Sequence, residues 1–440
     1  MKPQFLISSI GPGNGKTIFA MGLIHALRKR GIKVQPYKCG PEITDTQLLT
    51  LSADNEAVNL DEWITTYTHI QHTYNKYGEK ADACIIEGNG ALFDGYKRMQ
   101  GSSAEIAKLL NVPVVLLVNA RMAGYSIASI IYGFKHFHPQ VKIVGVVFNQ
   151  ITSSAHYSYL KEACFDAGVD CLGYLPYNAE FKLPSKHSSI TLTTKRTMDT
   201  QINLIADDIE KNVNINRLLM NCNRNFPCQY TLPYSSDIEA ETVIPTSQQI
   251  KIAIARDPAF NFIYKENIAR LSIYGKISYF SPVYGSDLPE ADLIYLPGGY
   301  PELFARQLHR RHKLKNALKE YAEKGGKILA ECGGMAFLGR SITAKEGGTS
   351  YEMCNILPLD FTINSKLNSG YRKMTYNGVK LRGYEFHYSV TNNAENSLIA
   401  TQATNIKGTN VDLPLYRYKN IISSYGHWYW GDKDILDLWK

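Results

Sequence analysis

The sequence predicts an α/β protein of two domains, each a mainly parallel β-sheet flanked by helices. Two series of short apolar runs alternate with helical stretches, and a polar, proline-containing stretch without periodicity separates the two series. Continuous apolar runs are typical of parallel strands that helices cover on both faces. A chain of 440 residues also exceeds what one hydrophobic core usually supports. We therefore place the domains at residues 1–220 and 250–440, joined by a linker at 221–249.

The elements follow in order along each series. Residues 4–10 form the first predicted strand, and residues 16–30 form a helix whose apolar side chains recur every three to four positions. The next predicted strands of the first series are KVQPYK, ACIIEG, VPVVLLVNA and KIVGVVFNQ. Those of the second series are KIAIA, ISYFSP, LIYLPGG and KILAECGG.

Composition excludes several classes of protein. The chain is 44% hydrophobic and 20% charged, which is typical of a soluble globular protein. No apolar run reaches the roughly 18 residues of a membrane helix, and the first residues lack a signal-peptide core. The net charge of +8 is mild, without the basic-aromatic pattern of nucleic-acid binding. The eight cysteines lack metal-ligand spacing, so we expect reduced thiols in a cytoplasmic protein.

The stretch SSIGPGNGKT lies between the first strand and the first helix, where a phosphate-binding loop belongs. Its glycines let backbone N–H groups approach phosphates, Lys16 adds a positive charge, and Thr17 can bind Mg²⁺. A strict GxxxxGK[ST] motif would have glycine at Ile10, so the loop is a variant. The residues predicted to bind ATP are Gly11, Gly13, Asn14, Gly15, Lys16 and Thr17.

Two acidic stretches are candidates for the magnesium site that accompanies such a loop. KCGPEITD ends in Asp45, and IIEGNGALFDG contains Glu87 at the end of an apolar strand and Asp94 farther on. Helix capping or turn formation is the alternative role for each carboxylate, above all for Asp94 beside Gly95.

The order of motifs along the chain resembles that of the cobyrinate a,c-diamide synthase family. In the first half the motifs are KCGPEITD, EGNGALFDG, GSSAEIAKLL, GVVFNQ and LGYLP. In the second half they are ARDPAFNFIYKENIARL, YFSP, LPEADLIYLPGGYPELFARQL, ECGGMAFLG and GYEFHYS. The resemblance implies a P-loop, dethiobiotin-synthetase-like ATP domain followed by a class I glutamine amidotransferase-like domain. Members of this family use ATP and glutamine to amidate two side-chain carboxylates of a corrin precursor.

The resemblance also implies roles for residues of the first domain. Thr17, Asp45 and Glu87 take the magnesium positions, and Asp45 and Asp94 take substrate positions. Asp94 would orient the carboxylate that is being activated. The residues at the adenine are Asn149, in VVFNQ, and Pro176, in GYLP.

Four stretches depart from the family pattern. They are residues 42–44 within KCGPEITD, residues 89–91 within EGNGALFDG, residues 186–190, and Tyr384 in GYEFHYS. The first three lie near the nucleotide and macrocycle positions, so they leave the tetrapyrrole substrate open between cobyrinate, hydrogenobyrinate and nickel-sirohydrochlorin. A paralogue that binds a tetrapyrrole without catalysis is a further alternative, as is a nucleotide switch of the partitioning-ATPase type.

Cys332 in AECGGMAFLG is the candidate nucleophile of the second domain. The small residues around it permit a tight strand–turn–helix elbow that presents the sulfur to a pocket. We expect the following helix to favour the thiolate, whereas a buried structural thiol is the alternative. Gly333 and the Gly298-Gly299 turn are candidates for an oxyanion hole, with Gly299 and Gly333 supplying N–H groups.

A histidine near the C-terminus completes this predicted site. By the family resemblance the general base is His427 in SSYGHWYW, with His387 in YEFHYS as a second candidate. The glutamate that usually follows such a histidine by two residues is replaced by Tyr429. The prediction is an Mg²⁺- and ATP-dependent amidoligase that takes ammonia from glutamine, acts on a corrinoid and binds neither nucleic acid nor membranes. Assembly as a homodimer is left open.

Overall fold

The structure, a computed structural model, describes residues 1–181, 192–228, 249–285, 287–344, 347–392 and 396–440. The described residues up to 228 form one compact unit, and those from 249 onward form a second. Both units are α/β, which confirms the predicted fold class. Residues 221–228, predicted as the start of the linker, belong instead to the first unit, and residues 229–248 lie outside the described part of the chain.

The first unit is built on an eight-stranded sheet. Its strands are β1 (Lys2–Ser9), β2 (Val34–Cys39), β3 (Val58–Leu60), β4 (Ala83–Glu87), β5 (Val114–Asn119), β6 (Ile143–Ile151), β7 (Cys171–Pro176) and β8 (Asn223–Arg224). Its helices are α1 (Lys16–Lys29), α2 (Ile43–Ala53), α3 (Tyr67–Gly78), α4 (Ser103–Leu109), α5 (Ile127–His136), α6 (Ser154–Asp166), α7 (Leu192–Asn212) and α8 (Ile215–Asn221).

Parallel pairing places the chemistry of this unit at one edge of the sheet. The strand order is β3-β2-β4-β1-β5-β6-β7, all parallel, and β8 pairs antiparallel with β1. Helix α1 starts directly after the predicted phosphate loop, and Phe19, Leu23 and Leu27 on this helix are fully buried. Because the carboxyl ends of parallel strands meet at one edge, the segments that follow β1, β2 and β4 converge there.

The second unit is built on a twelve-stranded sheet. Its strands are β9 (Ile250–Ala255), β10 (Gly275–Phe280), β11 (Leu293–Leu296), β12 (Lys327–Glu331), β13 (Ser341–Thr343), β14 (Ser350–Glu352), β15 (Asp360–Tyr376), β16 (Val379–Asn392), β17 (Ile399–Asn405), β18 (Asn410–Tyr418), β19 (Ile421–Ser424) and β20 (Gly426–Tyr429). Its α-helices are α9 (Lys265–Tyr274), α10 (Ala305–His309), α11 (His312–Glu323) and α12 (Gly333–Leu338). Short 3₁₀ helices span Pro301–Phe304, Asn396–Leu398 and Ile435–Trp439.

The sheet of the second unit has a parallel part and an antiparallel part. Strands β10, β9, β11, β12 and β19 are parallel in that order, as the apolar runs predicted for the first four. The antiparallel part, which the prediction did not describe, is dominated by the long hairpin of β15 and β16. Strand β20 pairs with β16, and this pairing brings His427 into register with Tyr384.

Candidate active sites

The predicted phosphate loop occupies the turn between β1 and α1. Gly13 and Gly15 have φ values of 71° and 90°, a region that side chains rarely adopt. Lys16 folds back over the loop, and its Nζ atom donates to Ser9 Oγ at 3.0 Å and to the Gly90 carbonyl at 2.6 Å. Burial is the main cause that lowers the pKa of Lys16. The loop therefore holds a buried cation at the start of a helix, where anions bind.

The structure brings together the three residues that were predicted to bind magnesium. Thr17 Oγ1 donates to Glu87 Oε1 at 2.5 Å. Lys38 Nζ lies 2.8 Å from Asp45 Oδ2 and 3.2 Å from Glu87 Oε1, so it joins the two carboxylates. Glu87 is buried, and its second carboxylate oxygen has no hydrogen-bond partner among the described residues.

These ligand types fit magnesium bound with a nucleotide. Mg²⁺ in such sites usually takes one or two carboxylates and completes its shell with phosphate oxygens and water. The carboxylates of Asp45 and Glu87 and the hydroxyl of Thr17 match that requirement. One oxygen of the Glu87 carboxylate has no hydrogen-bond partner among the described residues. The described residues hold no group of three or more His, Cys, Asp or Glu side chains that could bind a metal without such added ligands.

Lys38 is the residue of this site that the sequence analysis missed. Its side chain is 2% exposed, and its Nζ atom also donates to the Gly88 carbonyl at 3.3 Å. Burial alone would lower its pKa, but the carboxylates of Asp45 and Glu87 outweigh burial and raise it above the usual value. Burial raises the pKa of Glu87 to about 7, and Lys38 opposes that rise. The available signal was a lysine at the end of a predicted strand. If that lysine is buried it needs a partner, because burial of an unpaired ammonium is costly.

The remaining predicted residues of the first unit differ in their surroundings. Asp94 is exposed on the loop after β4, and its Cβ atom lies 4.0 Å from where Gly90 would carry a side chain. Asn149 is buried, and its Nδ2 atom donates to the Asn14 carbonyl at 2.8 Å. This amide therefore supports the phosphate loop. Pro176 lies on the neighbouring strand, in register with Ile151.

Cys332 occupies the predicted elbow between β12 and α12. Its backbone has φ 43° and ψ −104°, a strained conformation for a residue with a side chain. Its N–H donates to the Ser424 carbonyl at 2.7 Å. A Cβ on Gly334 would lie 2.1 Å from the Leu296 carbonyl oxygen, so only glycine fits at this turn. Strain held by close packing is typical of a nucleophile elbow.

His427 and Cys332 both lie close to Gly298. A Cβ placed on Gly298 would lie 2.1 Å from His427 Cε1 and 3.3 Å from Cys332 Cβ. The imidazole is 2% exposed and packs edge-on against Phe262, with ring centroids 5.3 Å apart. By hydrogen-bond geometry neither ring nitrogen has a partner within the described ranges, although the backbone of Phe386 is near enough to favour the imidazolium. The histidine predicted as the base is thus next to the nucleophile.

His387 is the other histidine near Cys332, and its ring nitrogens are already engaged. Nδ1 lies 2.7 Å from the Ser389 carbonyl oxygen, and Nε2 lies 2.8 Å from Glu385 Oε1. The ring stacks on Tyr425 at 3.7 Å between centroids. Because an acceptor oxygen faces each of the two nitrogens, neither is directed at the thiol. This geometry favours His427 as the base.

Burial opposes the charged forms of both the nucleophile and the base. Burial raises the pKa of the Cys332 thiol above its usual value, and the charge of Glu302 adds to this. The Gly333 N–H at the start of the following helix acts in the opposite direction and favours the thiolate, but burial outweighs it. Burial lowers the pKa of His427 to about 4, and the nearby Phe386 carbonyl offsets only part of that effect.

A pocket beside the elbow exposes one side of Cys332 to a ligand. It is lined by both predicted oxyanion glycines, Gly299 and Gly333, together with Glu302 and Tyr388. A Cβ on Gly333 would lie 3.1 Å from the Gly299 nitrogen, so the two backbones are in close contact. The structure thus brings the nucleophile and both candidate oxyanion donors to one pocket.

Comparison with known proteins decides the family. Residues 251–435 match the CobB/CobQ-like glutamine amidotransferase domain, and residues 5–190 match the CobQ/CobB/MinD/ParA nucleotide binding domain. The cobyrinate a,c-diamide synthase of Dehalococcoides mccartyi is 35% identical over 457 residues, which cover 99% of this chain and 96% of that protein. The chain belongs to the cobyrinate a,c-diamide synthase family. It is therefore a glutamine-dependent ligase that forms amides and uses ATP.

Two further members of the family show the same extent of similarity. The cobyrinate a,c-diamide synthase of Listeria monocytogenes is 34% identical over 411 residues, covering 89% of this chain and 88% of its own length. The enzyme of Saccharolobus solfataricus is 30% identical, covering 96% of this chain and 97% of its own. Both matches extend over most of the chain, so they include both units.

Two of the departures from the family pattern lie beside residues of the first site. Residues 42–44 directly precede Asp45, which pairs with Lys38, and residues 89–91 include Gly90, whose carbonyl contacts Lys16. Tyr384 pairs with His427 through the backbone, and its ring packs on Tyr371 at 5.5 Å. Residues 186–190 lie outside the described residues. None of the described helices has the length and hydrophobicity needed to cross a membrane.

Proposed function

We propose that this protein converts the a and c side-chain carboxylates of cobyrinate to amides, with ATP as activator and glutamine as nitrogen donor. The observation that carries the proposal is that Cys332 and His427 both lie close to Gly298 in a chain of this family. A paralogue without catalysis would have no need for a strained cysteine beside an unpaired buried imidazole.

The second unit releases ammonia in this proposal. His427 takes the proton of the Cys332 thiol as the sulfur attacks the carboxamide carbon of glutamine. The Gly299 and Gly333 N–H groups bind the oxyanion of the tetrahedral intermediate. His427 returns the proton to the departing nitrogen, and ammonia leaves behind a glutamyl thioester on Cys332. Water then hydrolyses the thioester to glutamate, which restores the thiol.

The first unit activates the carboxylate. A carboxylate oxygen of the substrate attacks the γ-phosphorus of ATP and forms an acyl phosphate, and ADP leaves. Lys16 and Lys38 supply positive charge near the transferring phosphoryl group. Thr17, Asp45 and Glu87 would hold Mg²⁺, which neutralises phosphate charge when bound. Ammonia then attacks the acyl phosphate, and the amide and inorganic phosphate are the products.

Asp94 and Asp45 are assigned to the substrate side of this reaction. Asp94 is exposed close to Gly90, whose carbonyl contacts Lys16, so it is available to a ligand near the phosphate loop. The roles of Asn149 and Pro176 at the adenine extend the same assignment. The Asn149 amide donates to Asn14 of the loop, so it would contact the loop and the adenine together.

The setting of the reaction is the cytoplasm in this proposal. All eight cysteines are free thiols, as expected in a reducing compartment. A corrinoid acid is the proposed partner, and a homodimer is the proposed assembly.

The substrate can be tested with purified protein, ATP, Mg²⁺ and glutamine. Cobyrinate, hydrogenobyrinate and nickel-sirohydrochlorin are incubated separately, and mass spectrometry follows the loss of about 1 Da per carboxylate converted to an amide. We expect two successive conversions on cobyrinate. Conversion of only one of the other macrocycles would reassign the substrate. No conversion of any of the three would contradict amidation and favour the non-catalytic paralogue.

A further inference from the structure

We propose that Glu331 is a positioning residue for His427: its carboxyl group holds the strand that carries the base against the strand that carries the nucleophile. The inference rests on the proposed hydrolysis of glutamine at Cys332. It concerns how the base is oriented in a site where the usual third member is missing.

The contacts of Glu331 connect three strands. Glu331 ends β12, directly before Cys332, and is 2% exposed. Its Oε1 atom accepts a hydrogen bond from the Trp428 N–H at 3.1 Å, and its Oε2 atom accepts one from the Tyr295 hydroxyl at 2.8 Å. Trp428 lies on β20 directly after His427, and Tyr295 lies on β11. One buried side chain therefore links the elbow to the peptide that follows the base.

The sheet supplies only part of this link. Strand β12 pairs with β19, which ends at Ser424, three residues before His427, whereas β20 itself pairs with β16. On the other side of the same residue, Asn267 Nδ2 donates to the Trp428 carbonyl at 2.8 Å. Trp428, which follows His427, is thus held at its N–H by Glu331 and at its carbonyl by Asn267.

The backbone beside His427 has to be held in place because of how its imidazole is oriented. A catalytic histidine is usually oriented by a group that hydrogen-bonds its second nitrogen. By hydrogen-bond geometry neither nitrogen of His427 has such a side-chain partner in the described part of the chain, and Tyr429 stands where the usual acid would be. The Tyr429 ring packs on Tyr264 with centroids 5.5 Å apart. The nearby Phe386 carbonyl favours the imidazolium, but the orientation of the ring also depends on packing and on its backbone, which the Trp428 amide contact fixes.

Substitutions at Glu331 separate positioning from simple burial. Burial raises the pKa of Glu331 to about 8, and Glu331→Gln keeps the shape of the side chain without its charge. Glutamine keeps an oxygen for the Trp428 N–H. Glu331→Met has a similar length and no acceptor. Ser423→Ala is the matched control, because it changes a neighbouring buried hydroxyl that has no hydrogen-bond partner among the described residues.

The experiment measures glutamine hydrolysis, and separately amidation of cobyrinate with ammonium salt in place of glutamine. We expect Glu331→Met to lower kcat for glutamine hydrolysis about 100-fold, since a misplacement near 1 Å has that effect. KM for glutamine and the ammonium-dependent rate should stay within about 3-fold of the wild type, because a merely structural defect would lower both reactions. Alkylation of Cys332 by the glutamine analogue 6-diazo-5-oxo-norleucine should slow in parallel. Glu331→Gln and Ser423→Ala should keep hydrolysis within about 10-fold.

Several results would overturn the inference. They are unchanged hydrolysis in folded Glu331→Met, an equal loss of the ammonium-dependent reaction, and failure of Glu331→Gln to restore hydrolysis. If Glu331→Met does not fold, Asn267→Ala, which releases the carbonyl of the same residue, Trp428, must show the selective loss. Unimpaired hydrolysis in that variant would also overturn it. A wild-type protein that hydrolyses no glutamine would instead contradict the proposed function.

Discussion

The ammonium group of Lys38 lies 2.8 Å from Asp45 and 3.2 Å from Glu87, and the lysine is 2% exposed. A buried cation between two carboxylates neutralises charges that burial would otherwise make costly. Lys38 therefore has a structural part in this site, and the proposed reaction gives it a chemical part as well.

Replacement of Lys38 should affect folding and synthesis together. Lys38→Met removes the cation that pairs with buried Glu87 and half-buried Asp45, so we expect a loss of about 3–5 kcal/mol in the free energy of unfolding. Cobyrinate amidation should stop with either nitrogen source. Urea denaturation and ADP release measure the two effects, and Lys29→Met, which removes an exposed ion pair with Asp207, is the control. A stable Lys38→Met protein with normal turnover would contradict this assignment.

Asp94 should act on synthesis alone. Its side chain is exposed on the loop after β4, so Asp94→Asn should leave the free energy of unfolding within about 0.5 kcal/mol of the wild type. We expect amidation to slow at least about 10-fold, or to stop after one amide, with glutamine hydrolysis largely intact. Mass spectrometry of the corrinoid products and a glutamate assay measure both. Unchanged double amidation would remove Asp94 from the site.

Gly298 should tolerate no side chain. The added Cβ would lie 2.1 Å from His427 Cε1, so Gly298→Ala must displace the imidazole, and we expect glutamine hydrolysis to fall about 100-fold or more. Gly133→Ala is the matched control, because a Cβ there meets no atom within 4 Å. It should leave hydrolysis unchanged. A fully active Gly298→Ala protein would mean that His427 lies elsewhere when the site works.

His427 should make stability depend on pH. Its pKa is about 4 in the folded protein against an ordinary value of 6.5, because burial disfavours the imidazolium. As pH falls from about 6.5 to about 4, the unfolded chain binds a proton here first, so this site loses stability in that window. His427→Gln should therefore lose less stability than the wild type between about pH 7 and pH 4.5. Urea denaturation at both pH values tests this, and equal losses would contradict the buried neutral imidazole.

The sequence predicted most of the parallel framework, because apolar runs covered on both faces have a strong pattern. It did not predict the β15–β16 hairpin, although Asn377-Gly378 at its turn, with φ values of 46° and 79°, is a strong hairpin signal. Buried and more exposed residues alternate along β16, because the two faces of this strand have different surroundings. In a sequence, such an alternating pattern is weaker evidence for a strand than a continuous apolar run.

The candidate sites were predictable where a motif carries the chemistry. Cys332 in its glycine elbow and Lys16 in its loop have such motifs. The contacts of Lys38 with Glu87 and of Glu331 with Trp428 join residues far apart in the chain. They depend on strand order, which periodicity alone does not give.

The most direct test of the account is the source of nitrogen used by Cys332→Ala. Cobyrinate, ATP and Mg²⁺ are supplied with either glutamine or a high concentration of ammonium salt, and mass spectrometry counts the amides formed. The variant should lose the glutamine-dependent reaction by about 10⁴-fold or more and keep the ammonium-dependent one. Amidation from glutamine by Cys332→Ala, or loss of both reactions in the folded variant, would contradict the separation of ammonia release from carboxylate activation.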